Sequence, residues 1–265
     1  MVVVSTVSVV MAVTMPALNT ARSRARAIAC RSNLRQLVLA NMEYANDHDG
    51  YYVPAADDLW VSIGTEWGQS GYHRWHGERT GPDEPFDPKK GPLFNYLGDG
   101  KIKECPTKVE FTKNQGGGIN FESGCGGYGY NMQYLGSRLW SSGITTFSAM
   151  KKAYAETTNA VEVKRPGATL MFADTAFYKD NQYLIEYSFA EPPHNVVNGQ
   201  PNMSSFMLPS LHFRHYGSAN VGWADGHVEP KPMGKPVLRE NYTAEMAKMN
   251  IGWFEPVDNT LFDLE

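Results

Sequence analysis

The first 18 residues, MVVVSTVSVVMAVTMPAL, carry no charged side chain. Wound as a helix, such a run is about 27 Å long, close to the ~30 Å of a bilayer's hydrocarbon core. A chain that starts this way has to bury that helix in lipid, in a partner or in its own interior. A secretory signal peptide would open on a basic region and close at a small-residue cleavage site. This run has neither, and it passes through Pro16 straight into NTARSRARAIACRSNLRQLVLANMEYANDHDG. There Cys30, Leu34, Leu37, Val38 and Tyr44 recur at helical spacings, while Arg22, Arg24, Arg26, Arg31 and Arg35 supply an exposed basic side. The pattern predicts one continuous helix over 17 to about 46, buried on the side of Cys30, Leu34 and Leu37. Gly50 is its natural stop.

Past Gly50 the periodicity disappears. With 25 glycines and 16 prolines in 265 residues, the remainder is rich in turns, and it is long enough to bury a core without metal or disulfide staples. A net charge of -4 removes a general nucleic-acid binder from consideration, because that function needs a basic surface. The chain thus divides into an apolar segment 1–18 for a membrane or filament core, an amphipathic continuation 19–50, and a loop-rich β domain 51–265. Within the last, ATLMFA at 168–173 reads as a buried strand ending at Asp174, and YLIEYSF at 183–189 as a half-exposed one. LFNYL at 93–97 is a short helix or strand. The Gly-rich stretch 114–129 lacks the Lys-Ser/Thr of a phosphate loop and is read as tight turns.

Three cysteines are too few and too scattered for a zinc ribbon. Cys105 in KECPTK and Cys125 in SGCGGYGYN both lie in loop sequence. A disulfide between them would close a loop of about 20 residues and add on the order of 3 kcal/mol; two separately buried thiols are the alternative.

The densest polar sequence is HYGSANVGWADGHVEP at 215–230. Asp225-Gly226, flanked by ANVGWA and HVEP, fits a two-residue type I′ hairpin turn, with Val221, Trp223 and Val228 on the core face and Gly222, His227 and Glu229 on the other. Fully extended, residues 215–225 would hold His215 about 33 Å from Asp225, so the two form no dyad unless residues 216–218 fold back. His212, His215, Asp225 and His227 offer ligand atoms, as do His73 and His76 in HRWH. The structural reading is preferred for both sets, with no metal and no cofactor. No nucleophile sits beside a base and G-x-S-x-G is absent, so the chain is not read as an enzyme.

PALNTARSRARAIACRSNLRQLVLANMEYANDHDGYYVP, with His215, nine residues and then Asp225-Gly226, resembles bacterial type IV pilin-like proteins and type II secretion pseudopilins. The closest likeness is to the group that pairs a prepilin-type N-terminus with this His-nine-residues-Asp-Gly motif. LFNYLGDGKIKECPTK, GYGYNMQYLG and ATLMFADT extend the resemblance over most of the chain. It implies an α+β fold, a pilin-like long N-terminal helix packed on a C-terminal antiparallel β-sheet domain with long irregular loops. It also implies a structural subunit of a cell-envelope filament or secretion machinery, anchored in the membrane by its helix, with the globular domain extracytoplasmic and partnered by copies of itself or other pilin-like subunits. His215, Asp225 and Gly226 are then structural motif residues. The family's leader glycine, first phenylalanine and early glutamate have no match here. Aligning Pro16 with the family's helix proline places Met1 inside the apolar run, which implies either residues upstream of Met1 or loss of the processing site. The alternative function is a membrane-anchored extracytoplasmic protein that binds a ligand such as a glycan through the aromatic loops at 60–86 and 116–140.

Overall fold

The computed structural model describes residues 2–59, 71–81, 84–107, 109, 111, 122–179 and 183–265, residues 2–13 by their backbone alone. Residues 60–70, the glycine-rich residues 112–121 and the side chains of the apolar run as far as Val13 lie outside the described residues.

Helix α1 spans Val2–Asp47 and continues through Pro16. Its two halves have different surroundings. From Thr14 to Ala29 the side chains are exposed apart from a partly covered Ser23 and Ala27; from Cys30 onward one side is buried. Cys30, Leu34 and Val38 are fully buried, with Leu37, Ala40, Asn41 and Ala45 beside them, so the predicted face is the one that packs. Burying such side chains contributes roughly 1.5–3 kcal/mol each, which fixes the helix to the body whatever its first half does. Among the described residues no helix is long and apolar enough to cross a membrane.

The helix lies on a four-stranded antiparallel sheet made of β1 (Tyr128–Tyr130), β2 (Leu170–Asp174), β3 (Ser218–Trp223) and β4 (Val228–Pro232), in the order β4-β3-β2-β1. β2 is buried at every position, as its unbroken apolar sequence requires of a strand covered on both faces. Short two-stranded pairs, among them Phe177–Lys179 with Tyr183–Ile185, surround this sheet. Phe94–Tyr96 is a single 3-10 turn. The long helix and the antiparallel sheet make the fold α+β.

The β3–β4 hairpin departs from expectation by one residue. Only Gly226 has a positive φ, +96°, and Asp225 does not. The Gly226 amide donates to the Trp223 carbonyl, and the Trp223 amide to the His227 carbonyl. This is a type I turn over Trp223–Gly226 closed by a left-handed glycine, a three-residue connection in place of the two-residue type I′ turn. The extra residue shifts the register so that Gly222 faces Val228 and Val221 faces Glu229. Because side chains alternate, that shift moves Val228 to the opposite face from Val221. Gly222, expected to point away from the core, instead lies under α1. The type I′ geometry occurs nine residues earlier: Tyr216 and Gly217 both have positive φ, +55° and +75°, between reciprocal hydrogen bonds of His215 and Ser218.

Candidate functional site

That early turn decides where His215 points. The chain folds back at residues 216–217, and His215 comes to the end of β2, where its Nε2 is 3.1 Å from Asp174 Oδ2 and 3.6 Å from Cys105 Sγ. Asp174 is the last residue of β2 and fully buried. Its Oδ2 also accepts from the Asn220 amide at 2.7 Å, while Oδ1 accepts from Cys30 Sγ at 3.2 Å. Cys30 comes from the buried face of α1, and Cys105 from a loop held by its amide's bond to the Gly126 carbonyl. Cys30, Cys105, Asp174 and His215 each place one ligand-type atom within 4.8 Å of all the others. Helix, loop, strand and turn therefore meet at one point at the end of β2.

The charges at this point are arranged in opposition. Burial disfavours an ionised Asp174, but the Arg214 guanidinium and His215 override it and hold the carboxyl below its usual range. Burial likewise opposes a protonated His215, yet the hydrogen bonds and charges of Asp174 and Cys105 raise it to about 9. A hydrogen bond from Cys30 lowers the Cys105 thiol against its own burial, helped by His215 and Arg214. Cys30 is pushed up, chiefly by burial. Two acidic groups, Asp174 and Cys105, thus face two basic ones, Arg214 and His215. Arg214 is almost fully buried; its Nη2 donates to the carbonyls of Gly127 and Thr175, while Nε and Nη1 have no hydrogen-bond acceptor.

A thiolate beside an imidazolium suggests a nucleophile, but the geometry is not that of a relay. Cys105 and Asp174 share the same ring nitrogen, whereas an orienting carboxylate has to bond the nitrogen opposite the one facing the nucleophile. Here the opposite nitrogen, Nδ1, meets Thr107 Oγ1 at 3.3 Å. A cavity of about 120 Å³, lined by Ser23, Arg26, Thr107, Arg214, His215 and Tyr216, opens beside this ring.

The other residues expected from sequence lie apart. Asp225 Oδ1 bonds His227, through the amide at 3.0 Å and the ring Nδ1 at 2.6 Å, so His215 and Asp225 have separate partners. The possible disulfide between Cys105 and Cys125 is not formed: all three cysteines are free, Cys125 is fully buried, and Cys105 faces Cys30. The histidines of HRWH diverge, His73 toward Asp57 in solvent and His76 into the interior against Trp75 and Phe86. Beside His76, the buried Arg74 binds Glu122 through Nε and Nη2 at 2.9–3.0 Å. Asp174, Cys30 and Arg214 were missed as site residues. The available cue was a carboxylate ending an apolar strand, since a charge buried there needs partners. No family model, curated protein or solved structure matches the chain.

Proposed function

We propose that the chain is a pilin-like or pseudopilin-like structural subunit of a cell-envelope filament or type II secretion-type machinery, anchored through α1. The observation that carries this reading is the division of α1. Its second half is docked on the sheet, while its first half extends from the body with Met15 61%, Leu18 49% and Ile28 58% exposed. The helical backbone from Val2 to Ala29 is about 42 Å long at 1.5 Å per residue, and the body touches it near Thr20, whose carbonyl accepts from the Tyr216 hydroxyl at 3.2 Å. A globular protein has no use for so long a free helix carrying large apolar groups unless lipid or neighbouring subunits cover it. Transfer from lipid to a bundle of like helices costs little, because both surroundings are apolar and packing decides the outcome. The sequence likeness to pilin-like proteins supports the same reading.

The test is assembly of the full chain in a bacterial host that exports pilin-like proteins. Wild type is expected in the envelope fraction and in filaments or pseudofilaments visible by electron microscopy. Leu18→Glu and Ile28→Glu, both at exposed positions, should keep the melting temperature and lose assembly. Monomers of wild type in both fractions, or assembly undisturbed by both substitutions, would contradict the proposal.

A further inference from the structure

We infer that Cys30, Cys105, Asp174 and His215 form a closed tetrahedral site for a zinc-class divalent cation, which clasps helix α1 to the sheet. This goes beyond the subunit role and does not depend on it. Zinc–sulfur bonds of about 2.3 Å and zinc–nitrogen or zinc–oxygen bonds of about 2.0–2.1 Å put the edges of a tetrahedron at roughly 3.3–3.8 Å. The edges found are 3.1 Å from His215 Nε2 to Asp174 Oδ2, 3.2 Å from Cys30 Sγ to Asp174 Oδ1, and 3.6 Å from Cys105 Sγ to His215 Nε2. The remaining edges lie within 4.8 Å, so shifts of up to about 1 Å and rotation of the Asp174 carboxylate bring all four residues onto one ion. Two sulfurs, one imidazole and one carboxylate are a donor set that selects zinc over calcium or magnesium, which prefer oxygen alone.

Two observations independent of the four ligands point the same way. A metal-binding imidazole ordinarily donates its other N–H to a fixed acceptor. His215 Nδ1 has one, Thr107 Oγ1 at 3.3 Å. The second is Arg214, buried, with Nε and Nη1 lacking acceptors, and with Nε 3.8 Å from Asp174 Oδ1. Two thiolates, a carboxylate and a neutral imidazole around a dication carry one net negative charge; Arg214 balances it, with its Nε turned toward Asp174. With four protein ligands there is no open position for water or substrate, and the role is structural. The ligands come from α1, the Cys105 loop, β2 and the turn before β3, so one ion joins four elements that no local sequence holds together.

The experiment uses the full chain in detergent, reduced with a phosphine, stripped by chelator and titrated with cobalt(II) and then zinc(II). One equivalent of cobalt should give the intense visible bands of tetrahedral coordination with thiolate-to-metal charge transfer, displaced by zinc. Zinc should raise the melting temperature by many degrees. Cys30→Ser and Cys105→Ser, which change one atom each, should each weaken binding by more than tenfold, and Cys125→Ser should leave it unchanged. His215→Ala is read the same way where circular dichroism shows it folded. No tetrahedral spectrum from reduced wild type would overturn the assignment. So would a spectrum unaltered in both Cys30→Ser and Cys105→Ser, or a Cys30–Cys105 disulfide in isolated protein that binds no cobalt after reduction.

Discussion

A β-carbon built on Gly222 would lie 2.5 Å from Val38 Cγ2, so helix α1 crosses β3 where the strand has no side chain. Such an approach is below contact distance for any real side chain, and Leu34 closes the other side at 3.5 Å. Gly222→Ala is therefore expected to destabilise the protein by roughly 1–3 kcal/mol through overpacking. Val38→Ala alone should destabilise it through a cavity. In the double variant the two costs should be clearly less than additive, because the smaller helix residue makes room. Chemical unfolding of the three variants measures this; strict additivity would place the helix elsewhere.

Gly226 and Asp225 occupy the same turn with different demands. Only Gly226 is left-handed, at φ +96°, so Gly226→Val should cost on the order of 1–2 kcal/mol or more. Asp225 accepts from the His227 amide at 3.0 Å in an exposed position, so Asp225→Ala should cost about 1 kcal/mol or less. Thermal unfolding of both variants checks the order. Equal losses would instead fit left-handed backbone at both residues.

This pair also illustrates what the sequence discloses and where it stops. The helix was legible because Cys30, Leu34, Leu37 and Val38 fall on one face within a few turns, and β2 because LMFA is an unbroken apolar run. The hairpin was legible too, but Asp-Gly suits both a two-residue turn and a three-residue turn closed by glycine. Choosing between them needs the packing of Gly222 under Val38, a contact 184 positions apart in the chain (222 - 38). The cluster at Asp174 was not legible, since residues 30, 105, 174 and 215 share no local spacing. Only the turn at Tyr216-Gly217 brings His215 back to the strand end, and Tyr gives no sign of the left-handed φ it adopts.

Glu122 gives the protein a defined acid limb. Burial works to raise its carboxyl, but the charge and hydrogen bonds of Arg74, with the His76 ring 3.9 Å away, lower it from 4.5 to about 2. A carboxyl with a depressed folded pKa binds fewer protons folded than unfolded. Its stabilisation is complete above about pH 5 and is lost as pH falls through 4.5 toward 2. Glu122→Gln should be less stable by about 1–3 kcal/mol at pH 7, since buried Arg74 loses its close counter-charge and keeps only Asp58, 3.6 Å from its Nη1. The gap to wild type should narrow as pH drops from about 5 to 2. Urea unfolding across that range measures it; a gap independent of pH would show that Glu122 is not the ionised partner.

The central proposal is that the apolar start of α1 serves assembly while the buried face from Cys30 to Ala45 holds the helix on the sheet. Its most direct test is sedimentation and thermal unfolding of the full chain beside a chain lacking residues 1–18. The account predicts that the full chain sediments as large assemblies or partitions into detergent micelles, and that the shortened chain is a soluble monomer with nearly the same melting temperature. Continued assembly of the shortened chain, or its unfolding, would contradict that division of the helix.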